Sequence, residues 1–234
     1  MSITPRIVIL TGAGISAESG LPTFRDANGL WENHRVEEVA TPEAFARNPA
    51  LVHRFYNLRR AALQTVQPNA AHFALAELQR ALPEHVTLIT QNVDDLHERG
   101  GSPRVIHMHG ELLKIRCEKC ADVRRWADEL TTETACLACG KRGGLRPDIV
   151  WFGEMPYFMD EIETALLECE LFAAIGTSGL VYPAAGFVRA AKAAGARCLE
   201  FNLDQTDVSH AFDAHLIGPA SVEVPQWVAE LMKW

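Results

Sequence analysis

The 234-residue sequence contains no apolar run that approaches the roughly 20 residues needed to cross a bilayer, so we expect no membrane contact. Its N-terminus enters an apolar run within a few residues and lacks a small-residue cleavage site, which argues against a secretory signal peptide. We therefore expect a cytoplasmic protein.

Basic residues are also in short supply. Lys and Arg number 22 against 30 Asp and Glu, which gives a formal net charge of −8 with His neutral. Binding to nucleic acid depends on Lys and Arg that neutralise phosphates, and no basic, aromatic stripe is present, so direct nucleic-acid binding is not expected. Hydrophobic residues make up 48% and charged residues 22%, which is typical of a soluble globular protein.

Short apolar runs bounded by turn residues predict the strands of a parallel sheet that is covered on both faces. These runs are 6–11, 86–90, 172–176 and 197–202. The stretches 69–81, 159–170 and 184–194 carry apolar residues at three- and four-residue spacing, which predicts helices. The alternation of strands and helices predicts an α/β fold with a Rossmann-like, doubly wound parallel sheet.

Two stretches interrupt this alternation. Residues from about 26 to 67 lack a strand pattern and are interpreted as a loop followed by helices, whereas residues 117–146 are rich in Cys, charge and Gly. We therefore predict a Rossmann-like domain made of residues 1–25, 68–110 and 147–234. The helical insertion 26–67 and a zinc-binding module, 111–146, are predicted to form a smaller second domain.

Four of the six cysteines form two C-x-x-C pairs, Cys117 with Cys120 and Cys136 with Cys139, separated by fifteen residues. Thiolates at this spacing can close a tetrahedral zinc site, and four thiolates leave no open position for water. The pattern predicts one structural Zn²⁺ per chain, with two redox pairs as the alternative.

A glycine-rich loop follows the first predicted strand. Gly12, Gly14 and Ala17 fit the G-x-G-x-x-G/A pattern, which brings the backbone close to a pyrophosphate at a helix N-terminus. Polar clusters at 91–94, 176–178 and 202–204 also follow predicted strands, at the strand ends where doubly wound sheets bind ligands. We therefore expect a dinucleotide site. An ordinary dehydrogenase holds the ribose with an Asp or Glu at the end of a second strand, and this sequence shows no such strand. A tight turn without a ligand is the alternative.

Two residue pairs suggest further chemistry. His107 and His109 lie two apart, and spacing alone does not decide which of them faces a cleft. Tyr56 and Arg59 share a face if they lie on a helix, where a phenol and a guanidinium can hold one carboxylate. In an arbitrary helix, a solvated Arg beside a half-buried Tyr is the more usual explanation.

Together these segments resemble the sirtuin family. The matching blocks occur in family order, span nearly the whole chain, and are 12–26 (GAGISAESGLPTFRD), 90–101 (TQNVDDLHERGG), 109–112 (HGEL), the two cysteine pairs, 150–154 (VWFGE), 176–185 (GTSGLVYPAA) and 201–204 (FNLD). The resemblance implies an NAD-dependent enzyme that removes acyl groups (acetyl, and also succinyl or malonyl) from lysines of protein partners. NAD is then a co-substrate, and nicotinamide and 2′-O-acyl-ADP-ribose are products.

The resemblance also implies a role for each matching residue. His109, unlike His107, matches the general base, and Phe24 is expected to cover the departing nicotinamide. The implied NAD contacts are Gly12, Ala13, Gly14, Ile15, Ser16, Ala17, Glu18, Ser19, Thr23, Phe24, Arg25, Trp31, Gln91, Asn92, Val93, Asp94, Gly176, Thr177, Ser178, Asn202, Leu203, Asp204 and Ala220. The implied peptide-binding edges contribute Val150, Phe152, Gly153, Glu154, Leu180 and Val181.

The resemblance also indicates which acyl group the enzyme removes. Sirtuins that remove succinyl and malonyl groups carry a Tyr-x-x-Arg pair and a small residue where Ala40 stands, which implies that Tyr56 and Arg59 recognise an acidic acyl group. Arg60 is the competing candidate. Mono-ADP-ribosyl transfer to a protein and a non-catalytic NAD or ADP-ribose sensor are the alternative functions, and a monomer is expected.

Overall fold

The computed structural model describes residues 4–22 and 34–233. The described elements are, in chain order, β1 (Ile7–Thr11), α1 (Ala13–Ala17), α2 (Val36–Val39), α3 (Pro42–Arg47), α4 (Pro49–Leu63), α5 (Ala70–Ala81), β2 (Val86–Thr90), α6 (Leu96–Arg99), β3 (Ile106–His107), β4 (Gly110–Cys117), β5 (Val123–Arg125), β6 (Leu145–Ile149), α7 (Met159–Glu168), β7 (Leu171–Ile175), α8 (Phe187–Ala193), β8 (Arg197–Asn202), β9 (Ala214–Ile217) and α9 (Ala220–Leu231). None of the helices in these ranges combines the length and apolar character needed to span a bilayer.

Six parallel strands form the central sheet in the order β3-β2-β1-β7-β8-β9. Side chains alternate between its two faces. Ile7 and Ile9 of β1 pack with α5 and α9 on one face, and Val8 and Leu10 pack with α7 and α8 on the other. The prediction of a doubly wound α/β sheet is therefore confirmed.

The chain first builds the sheet outward from β1 through β2 to β3, and later returns to add β7, β8 and β9 on the other side. The direction of winding thus reverses between β1 and β7, and such a switch point leaves a crevice at the carboxyl ends of the strands. The ends are in register, since Thr11 pairs with Thr90 and with Ile175.

Two smaller groups of elements, one of helices and one of antiparallel strands, come mainly from the two stretches that interrupt the alternation of strands and helices. Helices α2 to α4 share an apolar cluster with Leu112 of β4, Ile149 of β6 and Trp151. The side chains of Thr41 and Asn48 cap α3 and α4, and each cap is followed by a proline in the first turn, which fixes where the helices begin. Strands β5, β4 and β6 form an antiparallel sheet beside the cysteine cluster.

The predicted strands match β1, β2, β7 and β8 to within one residue at each end, whereas β3, β4, β5, β6 and β9 were not predicted. The predicted helix 184–194 is divided into a 3₁₀ turn, Ala184–Gly186, and α8. Gly110 of β4 pairs with Ile149 of β6, so this sheet crosses the predicted boundaries of the zinc-binding module. The division into two domains stays a prediction.

Candidate active site

A cavity of about 960 Å³ lies between the carboxyl ends of the parallel strands and the helices α2 and α4. At the sheet it is lined by residues that follow β1, β2, β7 and β8, and at the other end by Ala40, Tyr56 and Arg59. One cavity therefore joins the predicted nucleotide-binding loops to the predicted acyl-binding pair.

The loops after β1 and β7 touch through their backbones. Gly12 N donates to the Ile175 carbonyl at 3.0 Å, and Gly14 N donates to the Gly176 carbonyl at 2.8 Å. A Cβ on Gly14 would lie 2.7 Å from the Gly176 Cα, so a side chain there would force the loops apart. Gly176 also has a φ of +61°, a region that favours glycine. These glycines are needed for loop contact as well as for access to the cavity.

The loop after β2 is fixed to α1 by polar side chains. Ser16 Oγ donates to Asp94 Oδ2 at 3.0 Å, and Asn92 Nδ2 donates to the Gly12 carbonyl at 3.1 Å. Burial raises the pKa of Asp94, although the hydrogen bonds from Leu96 N and Ser16 oppose the rise. Asn92 and Asp94 are therefore held in single positions beside the glycine-rich loop.

The polar residues after β2, β7 and β8 are also hydrogen-bonded to one another. Gln91 Nε2 donates to Thr177 Oγ1 at 2.9 Å, and Asn202 Nδ2 donates to the Thr177 carbonyl at 2.9 Å. Glu18 bonds to Ser221 in the first turn of α9. Three sequence clusters that lie far apart in the chain thus form one polar surface.

His109 lines the cavity, and its Nδ1 lies 3.1 Å from the Gln91 carbonyl oxygen. A carbonyl only accepts hydrogen bonds, so Nδ1 carries the proton and Nε2 is the basic nitrogen. Burial lowers the pKa of His109, and the bond to Gln91 only partly offsets this effect. The ring is therefore neutral near pH 7, as a general base must be.

His107 has a different environment. It does not line this cavity, and its Nε2 lies 2.7 Å from Glu98 Oε1. Burial disfavours the charged ring, but the Glu98 carboxylate outweighs burial and raises the pKa of His107. The two histidines that spacing leaves equivalent are thus a buried hydrogen-bond partner of Glu98 and a cavity residue.

The acyl end of the cavity is formed by side chains of α4. Tyr56 is fully buried, its hydroxyl accepts a hydrogen bond from Trp151 Nε1 at 2.9 Å, and burial raises its pKa to about 12, so the phenol is neutral. The Arg59 guanidinium lies 5.7 Å from the Phe55 ring centroid and lines the cavity. Arg60 instead donates through Nε to the Leu112 carbonyl at 3.1 Å. It is buried and does not line the cavity.

The segment 150–154 forms one wall of the cavity and is held from behind. Val150 N donates to the His109 carbonyl at 2.9 Å, and Phe152 N donates to the Ala40 carbonyl at 3.0 Å. Glu154 accepts from both terminal nitrogens of Arg146, at 2.7 and 2.8 Å. Leu180 lines the cavity from the segment after β7, so two chain segments flank its mouth.

The four predicted zinc ligands come together at the end of β4. Their sulfur atoms all lie within 4.8 Å of one another, with Cys117 to Cys139 at 3.9 Å and Cys120 to Cys136 at 3.7 Å. Tetrahedral zinc with Zn–S bonds of about 2.3 Å places its sulfurs about 3.8 Å apart, so the cluster fits that ion. None of the four cysteines lines the large cavity, which favours a structural site.

Residues 12–183 match the model of the Sir2 family. The chain belongs to the Sir2 family. It is 56% identical over 229 residues to an NAD-dependent protein deacylase of Bdellovibrio bacteriovorus, with 97% of each chain covered. It is also 57% identical over 231 residues to one of Escherichia coli K12, which covers 98% of this chain and 83% of that relative.

Solved structures agree with this assignment. A Sir2 homologue in complex with NAD is 41% identical and superposes with a TM-score of 0.89, covering 97% of this chain and 90% of the other. A Sir2 protein bound to a myristoylated histone peptide is 33% identical, with a TM-score of 0.76 and coverage of 97% and 91%. The family resemblance stated from the motifs is therefore confirmed.

Most of the predicted contacts of this Sir2 family member line the cavity. Among the described NAD contacts, Ile15 and Ser19 do not: Ile15 is buried in the core, and Ser19 Oγ accepts from Asn69 Nδ2 at 3.1 Å. Thr23, Phe24, Arg25 and Trp31 lie outside the described residues. Every predicted substrate contact lines the cavity.

Several apolar lining residues were not predicted, among them Leu63, Leu112 and Ile149. Leu112 and Ile149 lie on β4 and β6, which the sequence pattern did not reveal, and Leu63 ends α4. The apolar spacing of α4 was the available signal for Leu63.

Proposed function

We propose that this Sir2 family member removes acyl groups from protein lysines in a reaction that consumes NAD and one water and yields free lysine, nicotinamide and 2′-O-acyl-ADP-ribose. One observation carries the proposal: a single cavity joins the glycine-rich loop, His109 and the Tyr56/Arg59 pair. A dinucleotide and an acyl-lysine can then meet beside a basic nitrogen. The curated relatives described above are named as NAD-dependent protein deacylases, which supports the same reaction.

The residues at the sheet end fit NAD. Gly12 and Gly14 line the cavity in a glycine-rich loop of the kind that binds pyrophosphate, and polar side chains after β2, β7 and β8 can bond ribose hydroxyls and a carboxamide. We infer that those described residues of the predicted NAD set that line the cavity hold the cofactor, with Asn92 and Asp94 nearest the nicotinamide ribose. The contacts of Thr23, Phe24, Arg25 and Trp31 stay predictions.

His109 is the proposed general base. Bound NAD would supply an electrophilic ribose carbon, C1′, with nicotinamide as the leaving group and the acyl oxygen as the incoming atom. In this reaction, His109 Nε2 takes a proton from a ribose hydroxyl. Burial keeps that nitrogen unprotonated, and the Gln91 carbonyl fixes the tautomer. Leu112 and Ile149 add apolar surface to the wall of the cavity.

We further propose that the acyl group is preferentially acidic, as in succinyl- and malonyl-lysine. Arg59 brings a guanidinium to the cavity, Tyr56 brings a neutral phenol, and the small Ala40 lines the same end. A carboxylate at the end of an acyl chain would meet both groups. Arg60 is engaged with Leu112 and Asn57 and is not the recognising residue.

The cysteine cluster is proposed to hold one structural Zn²⁺. The protein is further proposed to act in the cytoplasm, as a monomer, on acyl-lysine in proteins and without binding nucleic acid. The net charge of −8 supports the last point.

The decisive assay compares acetyl-, succinyl- and crotonyl-lysine versions of one peptide, each with NAD. The wild type is expected to turn over the succinyl peptide. Arg59→Met should lose about 10- to 100-fold in kcat/KM for it, chiefly through KM, because a charged hydrogen bond contributes about 1.5–3 kcal/mol both before and during reaction. Deacetylation should change little.

Arg60→Met is the matched control. It removes the neighbouring guanidinium, which is buried against the backbone, so it should lower the melting temperature without changing the ratio of succinyl to acetyl turnover. Equal loss of both activities in Arg59→Met would make Arg59 structural, and a selective loss in Arg60→Met would assign recognition to the other arginine.

A further inference from the structure

A buried hydrogen bond joins the wall of the cavity to the acyl-binding pair. Trp151 Nε1 donates to the Tyr56 hydroxyl oxygen at 2.9 Å, although the two residues lie 95 positions apart in the sequence. Trp151 is 2% exposed and Tyr56 is fully buried. An indole N–H only donates, so the phenol oxygen must be the acceptor in this bond, and the phenol's own proton points elsewhere.

The indole is held in place by contacts that involve no substrate. The Arg146 guanidinium carbon lies 3.3 Å from the Trp151 ring centroid, and the Phe45 ring lies 5.4 Å from it. Trp151 N donates to Glu154 Oε2 at 2.8 Å, and Glu154 is in turn bonded by Arg146. The direction of the indole N–H is therefore set before any ligand enters.

The bond changes the phenol in two ways. Accepting from Trp151 restricts rotation of the Tyr56 hydroxyl, and it polarises the O–H group so that it donates more strongly to a further acceptor. In agreement, burial raises the pKa of Tyr56 to about 12, whereas the bond from Trp151 acts in the opposite direction. The hydroxyl thus keeps its proton and is strengthened as a donor.

We propose that Trp151 is a positioning residue for acyl selection, which sets the Tyr56 hydroxyl to donate to the distal carboxylate of the acyl chain. Trp151 lines the cavity, but it acts on that carboxylate through Tyr56. The inference rests on the proposed function and deepens its substrate preference.

The test is a cycle of Trp151→Phe, Tyr56→Phe and the double variant, assayed with NAD and succinyl- or acetyl-lysine peptides. Phenylalanine keeps one aromatic ring between Arg146 and Phe45 and removes the donor together with the second ring of the indole. Trp151→Phe should raise KM for the succinyl peptide about 3- to 10-fold, with kcat and the acetyl reaction within about twofold of wild type. In the Tyr56→Phe background, the same substitution should change the succinyl-to-acetyl ratio by less than about twofold.

A packing role gives a different pattern. If Trp151 only fills space, its substitution will affect acetyl and succinyl turnover equally, and by the same factor with or without the Tyr56 hydroxyl. Either result overturns the inference. Failure of the proposed function itself is distinct, because then the wild type releases no nicotinamide with any acyl peptide.

A second variant covers the case in which Trp151→Phe does not fold. Site-specific replacement of Trp151 by 3-benzothienylalanine keeps the bicyclic shape and replaces the N–H by sulfur. With a melting temperature near that of wild type, this variant should show the same selective rise in KM for succinyl-lysine. An unchanged KM would contradict the proposal.

Discussion

The two ends of the cavity are built in different ways. At the sheet end, residues within about four positions of a strand end present glycines and short polar side chains, which bond to one another across neighbouring strands. At the acyl end, α4 and the segment after β6 contribute aromatic and charged side chains that pack together and share the hydrogen bond from Trp151 to Tyr56. The topology of the parallel sheet determines the sheet end of the cavity. The acyl end depends on helices α2 to α4 and strands β4 and β6 keeping their positions.

Loss of the metal should therefore break the acyl end while sparing the sheet. Cys136→Ser is expected to release zinc, because three thiolates no longer close the site, and structural zinc contributes on the order of 10 kcal/mol to folding in small zinc domains. Hydrogen exchange should then show lost protection in β4 and β6 and retained protection in β1 and β7. Cys169→Ala, which removes a thiol outside the cluster, should leave metal content unchanged. Native protein without zinc would contradict this expectation.

His109 stands where the two ends meet, and its loss should affect chemistry rather than either binding site. His109→Ala is expected to lower kcat about 100- to 10,000-fold on every acyl peptide, because removal of a general base has effects of that size. NAD binding, measured by calorimetry, should be largely kept. If His107→Ala abolishes turnover while His109→Ala does not, the assignment of the base is wrong.

Acid should weaken the helices behind both ends of the cavity, since α4 and α5 each bury a neutral histidine. Burial lowers the pKa of His53 in α4 and of His72 in α5 to about 4, with Arg60 adding to the effect at His53. In the unfolded chain, these histidine rings take up a proton near pH 6.5. The stability that each neutral ring contributes is therefore present above pH 6.5 and is lost as the pH falls towards 4. The loss is roughly 3 kcal/mol per ring.

Urea unfolding of His53→Gln and His72→Gln between pH 7 and pH 4 measures this loss. Each variant should lose stability less steeply than wild type over that interval. Curves that run parallel to the wild-type curve would show that each ring takes up its proton at the same pH in the folded and the unfolded protein.

The smallest effect expected at the acyl end is that of a single hydroxyl. Tyr56→Phe should lower kcat/KM for succinyl-lysine about 3- to 10-fold and leave deacetylation nearly unchanged, since a neutral hydrogen bond contributes about 1 kcal/mol. Tyr157→Phe removes a hydroxyl that bonds to Asp148 outside the cavity, and it should leave the ratio of the two activities unchanged.

The difference between the two ends of the cavity also explains which parts of the fold and of the site the sequence alone predicts. Strand β1 is an uninterrupted apolar run, and the polar residues that follow it and its neighbours mark the nucleotide end. Strand β6 was missed because it contains Arg146, Pro147 and Asp148, all buried. Their burial is stabilised by Glu154 and Tyr157, which belong to later segments, and no local pattern reveals such partners.

At the acyl end, helix spacing placed Tyr56 and Arg59 on one face, and both line the cavity. Spacing did not show that the next residue, Arg60, is buried, because its burial depends on a hydrogen bond to a carbonyl of β4. The bond from Trp151 to Tyr56 lies beyond any sequence pattern, since it joins two distant segments whose separation only the folded chain sets.

The claim that NAD and the acyl-lysine meet in one cavity is tested most directly by the masses of the first products. With NAD and a succinyl peptide, early time points should contain equal amounts of nicotinamide, unmodified lysine peptide and ADP-ribose that carries the succinyl group. A peptide heavier by ADP-ribose would instead establish mono-ADP-ribosyl transfer. Free succinate formed without nicotinamide release would contradict the account altogether.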